Sequence, residues 1–475
     1  MKFSAIFSKV PEQLANIEIT GIADDSRKVE PGNVFVCVRG AESDGHLYAK
    51  KAIENGAVAV ICERNLELHN QVIVGNSHKA LIEISDAFYS YPLKKLKVIG
   101  VTGTNGKTSV CYMLKSILEH CGYKTGMIGT IENIVGDTVI ESGNTTPGPL
   151  ALRKLFAIMV ENGCTHAVME VSSHALDQGR VDGIVFEAGI FTNLTQDHLD
   201  YHKTMEAYFE AKSKLFCQSK LAVINMDDPV YEKLISKIKI PVVTYSLKSN
   251  ESTYTAKNPV YRPNGVDYEI VGFGIIGRIH LKIAGKFSVY NSMAAAACAK
   301  EMGLPINEIA DSLNQMKGVK GRAEVVDVND DYTVIIDYAH TPDGLQKILS
   351  TFKECPKNRL VVLFGCGGDR DKTKRPKMGA IAARLADYVI VTSDNPRTED
   401  PLNIIEDILA GMKGISTPYK VIENRIEAIH YAIKRAKRGD IIILAGKGHE
   451  TYQILGKEKV HLDEREVIAE ALKNK

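Results

Sequence analysis

Residues 97–109, KVIGVTGTNGKTS, decide how the rest of the chain is interpreted. The apolar beginning of this stretch is typical of a buried strand, its middle is a glycine-rich loop, and residues 110–119 are typical of a helix. In a strand, loop and helix of this kind, backbone N–H groups and the helix N-terminus face an anion. Lys107 would reach the outer phosphates of a nucleotide, and the Thr108 hydroxyl would hold Mg²⁺. The stretch therefore predicts a site for a nucleoside triphosphate.

The strict phosphate-loop spacing is not met, because the first glycine is Gly100 rather than residue 101. The core from Gly103 to Thr108 is nevertheless intact and correctly placed between strand and helix. The alternative is a glycine-rich turn that binds nothing. We disfavour it because Gly-Lys-Thr at the start of a helix, after a buried strand, has few other uses.

The composition limits the classes of function. The 475 residues are 44% hydrophobic and 25% charged, with a net charge of +1. This balance is ordinary for a globular protein, and the length predicts about three domains. It shows no bias towards polyanions, so nucleic acid is not expected as a partner. Nine cysteines without a Cys-x-x-Cys pair favour a reduced, cytoplasmic protein, and no apolar run predicts a signal peptide or membrane insertion.

The alternation of apolar runs and helix-like segments predicts an α/β protein of three domains, at residues 1–96, 97–318 and 319–475. The first is a small α/β domain. The second is a doubly wound sheet around the phosphate loop. The third is Rossmann-like, because four apolar runs there end in glycine, arginine and carboxylate clusters, which predict a second ligand cleft.

Polar residues at the ends of apolar runs mark a candidate metal site in the second domain. Glu170 and His198 follow such runs, beside the run that leads to Lys107, and oxygen-rich sites around phosphates suit Mg²⁺. His198 and His202 have the spacing of a zinc pair, but no third ligand is evident. Lys212 has the pattern of a solvated helix lysine.

Residues 272–277, GFGIIG, match a dinucleotide-binding fingerprint as a string of letters. The residues that follow, 278–283, alternate between polar and apolar as a strand does, whereas the fingerprint requires a helix there. We interpret this segment as a β-hairpin rather than a nucleotide site.

With these motifs in place, the sequence resembles the Mur ligase family over essentially its whole length. Seven motifs carry the resemblance in the family's order: Asp25–Arg27, Thr102–Thr108, Asn144–Pro147, Glu170–His174, Thr192–Leu194 with Asp197–Asp200, Asp337–Pro342 and Asp394–Arg397. Each motif is modest evidence by itself, and the seven together are very specific.

The resemblance implies an ATP-dependent ligase of peptidoglycan synthesis, a process on which cell shape and division depend. ATP would phosphorylate the side-chain carboxylate of D-glutamate in UDP-N-acetylmuramoyl-L-alanyl-D-glutamate. The amine of a diamino acid would then displace phosphate from the acyl phosphate. A monomer that acts on small-molecule substrates, with Mg²⁺ as cofactor, is expected.

The resemblance also implies roles for individual residues. The positions that match ATP contacts are Gly103, Thr104, Asn105, Gly106, Lys107, Thr108, Ser109, Asn291, Arg322 and Asp337. The positions that match catalytic or metal-binding residues are Lys107, Thr108, Glu170, His198 and Lys212, the last carried as a carbamate, a bidentate anion. The positions that match contacts to the muramoyl dipeptide are Ser26, Asn144, Thr145, Thr146, Ser172, Gln178 and Arg180.

The identity of the added amino acid follows from one further motif. Meso-diaminopimelate differs from L-lysine by a carboxylate at its far end, and a guanidinium binds a carboxylate in a bidentate fork. Arg397 matches the family's position for that contact. The whole set that matches diaminopimelate contacts is Arg370, Asp394, Asn395, Pro396, Arg397, Gly446 and Glu450. The alternative for Arg397 is a surface salt bridge with Glu399 or Asp400.

Two other functions stay open from the sequence. The first is the same ligation with L-lysine. The second, from a different class, is a nucleotide-dependent switch protein, which would hydrolyse ATP slowly without small substrates. The arginine-rich cleft of the third domain favours a ligase over a switch.

Overall fold

The structure, a computed structural model, describes residues 1–40, 43–136, 138–272, 274–328 and 330–474. The chain divides into two compact units. The first unit contains residues 1–194, 198–224 and 229–243, and the second contains residues 195–197, 225–228 and 244–475. Each unit is built on strands covered by helices, which confirms the predicted α/β class. The domain boundaries at 96/97 and 318/319 stay predictions.

The N-terminal part of the first unit is a four-stranded parallel sheet in the order β1-β2-β3-β4. Every residue of β2 and β3 is buried, as expected for short parallel strands covered on both faces. The elements are α1 (Phe3–Ile6), β1 (Gly21–Ala23), β2 (Asn33–Val36), α2 (Ala49–Glu54), β3 (Ala59–Cys62), β4 (Gln71–Ile73) and α3 (Ser77–Phe88).

The remainder of the first unit contains the phosphate loop between its first strand and first helix. Its elements are β5 (Lys97–Thr102), α4 (Lys107–His120), β6 (Thr125–Ile128), β7 (Glu132–Val135), β8 (Thr138–Glu141), α5 (Pro149–Glu161), β9 (His166–Glu170), α6 (Ser173–Asp177), β10 (Phe186–Phe191), α7 (Leu199–His202), α8 (Met205–Ser213), β11 (Ala222–Asn225) and α9 (Tyr231–Ile235).

The strand order places the candidate site of the first unit. Strands β11, β10, β5, β9 and β6 lie side by side in that order and are parallel, and β7 and β8 continue the edge as antiparallel strands. Strands that follow β5 in the chain therefore lie on both sides of it, which is the doubly wound arrangement predicted. Ligands of such sheets bind at the carboxyl ends of the strands, where β5, β9 and β10 lie adjacent.

The second unit begins with four strands, of which the last three pair as antiparallel neighbours, and then forms a six-stranded sheet. Its first elements are β12 (Val242–Ser246), β13 (Tyr254–Arg262), β14 (Gly265–Gly272), β15 (Ile275–Leu281), α10 (Lys286–Glu301) and α11 (Ile306–Gln315). Strands β14 and β15 are antiparallel neighbours, so the hairpin predicted at the false fingerprint is confirmed. Phe273, within that string, lies outside the described residues.

The six-stranded sheet has the order β16-β17-β21-β18-β19-β20, and all its neighbours are parallel except the β16–β17 pair. The four buried strands predicted here are β17, β18, β19 and β21. The elements are β16 (Glu324–Val326), β17 (Thr333–Asp337), α12 (Pro342–Lys353), β18 (Leu360–Phe364), α13 (Lys374–Leu385), β19 (Tyr388–Val391), α14 (Pro401–Ala410), β20 (Tyr419–Val421), α15 (Arg425–Lys434), β21 (Ile441–Ala445), β22 (Tyr452–Leu455), β23 (Glu458–His461) and α16 (Glu464–Lys473).

None of the helices in the described parts of the chain is long and apolar enough to cross a membrane.

A buried ion pair joins the helices of this sheet to its strand ends. The Arg425 guanidinium donates to Glu464 Oε1 through Nε at 2.9 Å, and both side chains are fully buried. The same guanidinium donates to the backbone oxygens of Ser393 and Ala445, at 3.3 and 2.9 Å. Arg425 therefore connects α15 and α16 to the ends of β19 and β21.

We expect Arg425→Ala to lower the free energy of unfolding by about 3–5 kcal/mol, because it leaves the buried Glu464 carboxylate without its cation. Urea denaturation followed by far-UV circular dichroism measures this, since the chain has no tryptophan. Arg438→Ala is the matched control, because the exposed Arg438 lies 3.4 Å from Asp331 in a surface pair. Equal stability of the two variants would contradict the role given to Arg425.

Candidate functional site

The phosphate loop follows β5 and passes very close to the end of β10. Gly103 has φ of 145°, a conformation that side chains with a Cβ rarely adopt. A Cβ at Gly103 would lie 1.9 Å from the Thr192 hydroxyl oxygen. A glycine is therefore required here by both conformation and space.

Thr192 and Asn193, directly after β10, hold the loop in place. The Thr192 hydroxyl donates to Asn105 O at 2.6 Å, and Asn193 Oδ1 accepts from the Asn105 N–H at 3.0 Å. The Thr104 N–H donates to Asn193 O at 2.8 Å. The sequence marked these two residues as part of a family motif but assigned no role to either. Their role follows from β10 lying next to β5.

Two lysine ammonium groups converge on the loop. Lys107 Nζ donates to Gly103 O and Thr104 O, both at 2.9 Å. Lys212 Nζ, from α8, donates to Gly103 O at 2.8 Å and lies 4.5 Å from the centre of the Tyr208 ring. Lys212 is only 2% exposed, so its interpretation as a solvated helix lysine is wrong. The loop thus concentrates positive charge where phosphates are expected.

Glu170 ends β9 beside the first turn of α4 and is 1% exposed. Its Oε1 accepts from the Thr108 hydroxyl at 3.0 Å and from the Thr130 N–H at 2.7 Å, and its Oε2 accepts from the Thr130 hydroxyl at 3.1 Å. Thr130 is a contact that sequence reasoning missed, because no motif marks it.

The side-chain atoms at Glu170 that could bind a metal ion are oxygen atoms, from the Glu170 carboxylate and the Thr108 hydroxyl, and oxygen ligands fit Mg²⁺. Among the described residues, no group of three or more His, Cys, Asp or Glu is placed to hold a metal ion. A site in which one carboxylate and one hydroxyl are completed by water and phosphate oxygens is the kind that Mg²⁺ occupies beside nucleotides. Thr108 and Glu170, which the sequence predicted as ligands, are in direct contact here.

His198 lies among aromatic rings at the start of α7. Its φ is 52°, and its side chain makes no capping hydrogen bond to the helix. The centre of its ring is 4.9 Å from that of His174 and 6.0 Å from that of Tyr208, the residue over which Lys212 Nζ lies. Burial and the nearby His174 lower the pKa of His202, which favours its neutral form.

Several residues predicted to bind the muramoyl dipeptide are connected to Glu170 by hydrogen bonds. The Thr146 hydroxyl donates to Glu170 O at 2.9 Å and accepts from the Ser172 N–H at 3.0 Å. Arg180 donates to Thr146 O at 2.9 Å, and its Nε donates to Gln178 Oε1 at 2.9 Å. Burial lowers the pKa of Arg180, although a guanidinium stays charged in proteins.

The other residues of that predicted set differ in their surroundings. Thr145 is 3.0 Å from Thr130, hydroxyl to hydroxyl, and so joins the Glu170 network. Asn144 is exposed, and its backbone oxygen accepts from the Ser142 hydroxyl at 3.1 Å. Ser26 lies in a short turn after β1, where its backbone oxygen accepts from Asn55 Nδ2 at 2.8 Å.

Three residues predicted to bind ATP belong to the second unit. Asn291 is buried in α10. The Arg322 guanidinium lies 4.7 Å from the centre of the Tyr338 ring. Asp337, at the end of β17, accepts from the N–H groups of Ala323 and Ala339, at 2.7 and 2.8 Å. Burial raises the pKa of Asp337, and these donors oppose the rise.

The residues predicted to bind diaminopimelate meet at the ends of β19 and β21. Asn395 Nδ2 donates to Glu450 Oε2 at 3.0 Å. A Cβ at Gly446 would lie 2.7 Å from Asp394 Oδ2, so the two loops approach closely. Pro396 is buried beside them, and Arg370 is exposed with its guanidinium 3.2 Å from Asp369 O.

Arg397 is only partly buried, and its guanidinium donates to Gly368 O at 2.8 Å. The alternative salt bridge with Glu399 or Asp400 is wrong. Glu399 instead pairs with Arg375 at 2.9 Å, whose hydrogen bond lowers the pKa of Glu399 to about 2. In the described parts of the chain, no carboxylate lies within 4.0 Å of the Arg397 guanidinium.

Lys447 is a buried cation of this cluster that was not identified from the sequence. Lys447 has no exposed surface, and its Nζ donates to Asn395 Oδ1 and Glu450 Oε2, both at 2.8 Å. Its position directly after the buried strand β21, between Gly446 and Glu450, was the available signal. A lysine in a glycine-rich loop is usually solvated, so no local pattern distinguished Lys447 from an exposed lysine.

The chain resembles known proteins over its whole length. Three family descriptions match in order: the Mur ligase family catalytic domain over residues 18–89, the Mur ligase middle domain over residues 101–299, and the Mur ligase glutamate ligase domain over residues 321–448. The chain is 46% identical over 482 residues to UDP-N-acetylmuramoyl-L-alanyl-D-glutamate–2,6-diaminopimelate ligase 1 of Clostridium acetobutylicum, covering 100% of this chain and 99% of that relative. The chain belongs to the Mur ligase family.

Other relatives of the family support the same assignment. The 2,6-diaminopimelate ligase of Bacillus cereus is 47% identical over 476 residues, covering 98% of this chain and 96% of that protein. A solved structure of a UDP-N-acetylmuramoyl-L-alanyl-D-glutamate–2,6-diaminopimelate ligase has a TM-score of 0.74 at 33% identity, covering 100% and 99% of the two chains. The MurF ligase of Thermotoga maritima, solved with ADP, shares the fold with a TM-score of 0.66 at 19% identity, covering 96% and 97%. The predicted three-domain architecture is that of the family.

We expect Gly103→Ala to weaken ATP binding at least tenfold, since forcing a side chain into this conformation costs about 1–3 kcal/mol before the clash with Thr192 is counted. Titration calorimetry with a non-hydrolysable ATP analogue measures the affinity. Gly75→Ala is the matched control, because a Cβ at Gly75 meets nothing within 4 Å. Wild-type affinity in Gly103→Ala would contradict the role of the loop.

Proposed function

We propose that the protein is an ATP-dependent ligase that joins meso-diaminopimelate to UDP-N-acetylmuramoyl-L-alanyl-D-glutamate. The observation that carries the choice of amino acid is the Arg397 guanidinium, which donates to Gly368 O and, among the described residues, pairs with no carboxylate. Such a guanidinium can take the far carboxylate of diaminopimelate, which L-lysine lacks. The ligase relatives of the Mur family support the reaction class.

In the first step, an oxygen of the D-glutamate side-chain carboxylate attacks the γ-phosphorus of ATP. A phosphorus–oxygen bond forms as the bond to ADP breaks, which gives an acyl phosphate. The carboxylate and the triphosphate repel each other, so positive charge must lie between them. Lys107 can supply it, because its Nζ already lies on the phosphate loop.

In the second step, the amine of diaminopimelate attacks the acyl carbon. The new carbon–nitrogen bond forms, the amine loses a proton, and inorganic phosphate leaves with its oxygen. Arg180, Gln178, Thr146 and Ser172 form a hydrogen-bonded group beside Glu170 that can hold the carboxylates of the dipeptide. Their fixed positions would orient the reacting carboxyl towards the loop.

We propose Mg²⁺ as the cofactor, which Thr108 and Glu170 would hold, with His198 and Lys212 as further ligands. Bound there, Mg²⁺ would neutralise phosphate charge during transfer. We propose that Lys212, whose unmodified amine donates to Gly103 O, becomes a carbamate in the working enzyme, as the resemblance to the family implies. The neutral amine would add to CO₂ with loss of a proton.

We also propose that the protein acts as a monomer in the cytoplasm. Its substrates are small molecules, and ATP is abundant there. No disulfide forms among the nine cysteines, all of which lie in the described residues, and this supports a reducing compartment.

Phosphate release from ATP tests the function directly. With the UDP-muramoyl dipeptide and Mg²⁺ present, we expect release to depend on meso-diaminopimelate and to be absent with L-lysine. Lys107→Met should abolish release, because it removes the charge at the γ-phosphate. Release with L-lysine alone would keep the ligase and overturn the choice of amino acid. Slow phosphate release that does not depend on either amino acid would favour a nucleotide-dependent switch.

We expect Arg397→Ala to raise the KM for meso-diaminopimelate by about 10–100-fold, the equivalent of losing about 1.5–3 kcal/mol from hydrogen bonds to a charged group. The KM for ATP should stay near the wild-type value. Steady-state phosphate release gives both constants, and Arg278→Ala, at an exposed surface arginine, is the control. An equal loss for ATP and diaminopimelate would contradict the role of Arg397.

A further inference from the structure

Lys447 is a fully buried cation that the reaction described above does not use. Its Nζ lies 2.8 Å from Glu450 Oε2, 2.8 Å from Asn395 Oδ1 and 3.7 Å from Asp394 Oδ1. It therefore contacts side chains of both loops that carry the predicted diaminopimelate residues. Burying an ammonium is costly unless every donor finds a partner, and here the partners are the site residues themselves.

Asn395 is the point through which Lys447 acts on the rest of the loop. Its Oδ1 accepts from Lys447 Nζ and also from the Ile454 N–H at 2.9 Å. Its Nδ2 donates to Glu450 Oε2 at 3.0 Å. Since Lys447 Nζ and the Ile454 N–H can only donate, together they fix which end of the Asn395 amide faces them. The amide orientation in turn fixes the position of the Glu450 carboxylate.

The hairpin formed by β22 and β23 continues this arrangement to Arg397. The Arg397 N–H donates to Ile454 O at 3.1 Å, and the Gly456 N–H donates to Arg397 O at 2.8 Å. Gln453 Nε2 donates to Asp394 O at 2.5 Å. The Lys447 ammonium is thus connected through Asn395 and Ile454 to the backbone that carries Arg397.

The charges of the cluster match the far end of a diamino acid. Asp394 and Glu450 are carboxylates on opposite loops, and one cation, Lys447, lies between them. Without that cation the two carboxylates would repel and separate. Held together, they present negative charge for an ammonium group, and the loop of Asp394 also carries the Arg397 guanidinium, which can take a carboxylate.

We infer that Lys447 is a positioning residue of the amino-acid site: it sets the orientation of Asn395 and Glu450 so that these two residues and Arg397 together receive the ammonium and carboxylate groups at the far end of the diamino acid. This inference rests on the proposed function. Lys447 itself does not touch the substrate, because it has no exposed surface and its Nζ is held by Asn395 and Glu450.

The test compares Lys447→Met with the wild-type chain. We expect the KM for meso-diaminopimelate to rise at least tenfold, an effect of the size that hydrogen bonds to charged groups produce, and the KM values for ATP and the UDP-muramoyl dipeptide to stay within about twofold. At saturating diaminopimelate, kcat should change far less than KM. Lys447→Arg, which keeps the charge and the donors, should restore most of the affinity.

The matched control is Lys459→Met. Lys459 Nζ lies 4.4 Å from the centre of the Tyr452 ring, and Lys447 Nζ lies 5.4 Å from the same centre. Lys459 is exposed on β23 and contacts neither Asn395 nor Glu450. All its KM values should match those of the wild-type chain.

Three outcomes would overturn the inference. An unchanged KM for diaminopimelate in a folded Lys447→Met variant is the first, and an equal rise for all three substrates is the second. If Lys447→Met does not fold, Lys447→Gln takes its place with the same expected selectivity. Failure of both variants to fold would show a purely structural role, the third outcome. A wild-type chain that ignores diaminopimelate would instead contradict the proposed function.

Discussion

The contact between the phosphate loop and the end of β10 is the constraint on which the candidate site of the first unit depends. A loop that binds an anion through its backbone cannot be stabilised by hydrogen bonds within itself alone. Here the loop is held instead from outside, by Thr192 and Asn193, through bonds to Thr104 and Asn105. This is possible only because β10 is the parallel neighbour of β5. Gly103 allows the two backbones to approach closely enough.

Buried cations recur at the two ligand-facing ends of the sheets. Lys212 donates to the phosphate loop, Lys447 to the loops that follow β19 and β21, and Arg425 to the strand ends beneath those loops. Buried ion pairs contribute little net stability, because desolvation cancels most of the attraction. Their effect is geometric, since a buried charge tolerates few arrangements of its partners. The scaffold therefore uses its interior charges to fix loops rather than to strengthen the core.

The sequence predicted the fold well where local pattern and tertiary structure agree. The strand, loop and helix at residues 97–120, the four buried strands of the last sheet and the hairpin at the false fingerprint all follow from periodicity and turn residues. It failed where burial depends on distant segments. Lys212 and Lys447 carry a residue type that is normally solvated, and no local pattern reveals that another segment covers them. The partner of Glu399, Arg375, lies twenty-four residues away and was equally invisible.

The hairpin β22–β23 has a consequence for how amino-acid selectivity can change, in evolution or by design. The Arg397 backbone forms hydrogen bonds with this hairpin. The position of the Arg397 side chain therefore depends on the register of the hairpin. A substitution at Arg397 alone alters the charge but leaves the hairpin and its register unchanged. Residues 394–397 and 446–461 therefore form one transferable module. We expect grafts between relatives to carry selectivity with them only when both segments move together.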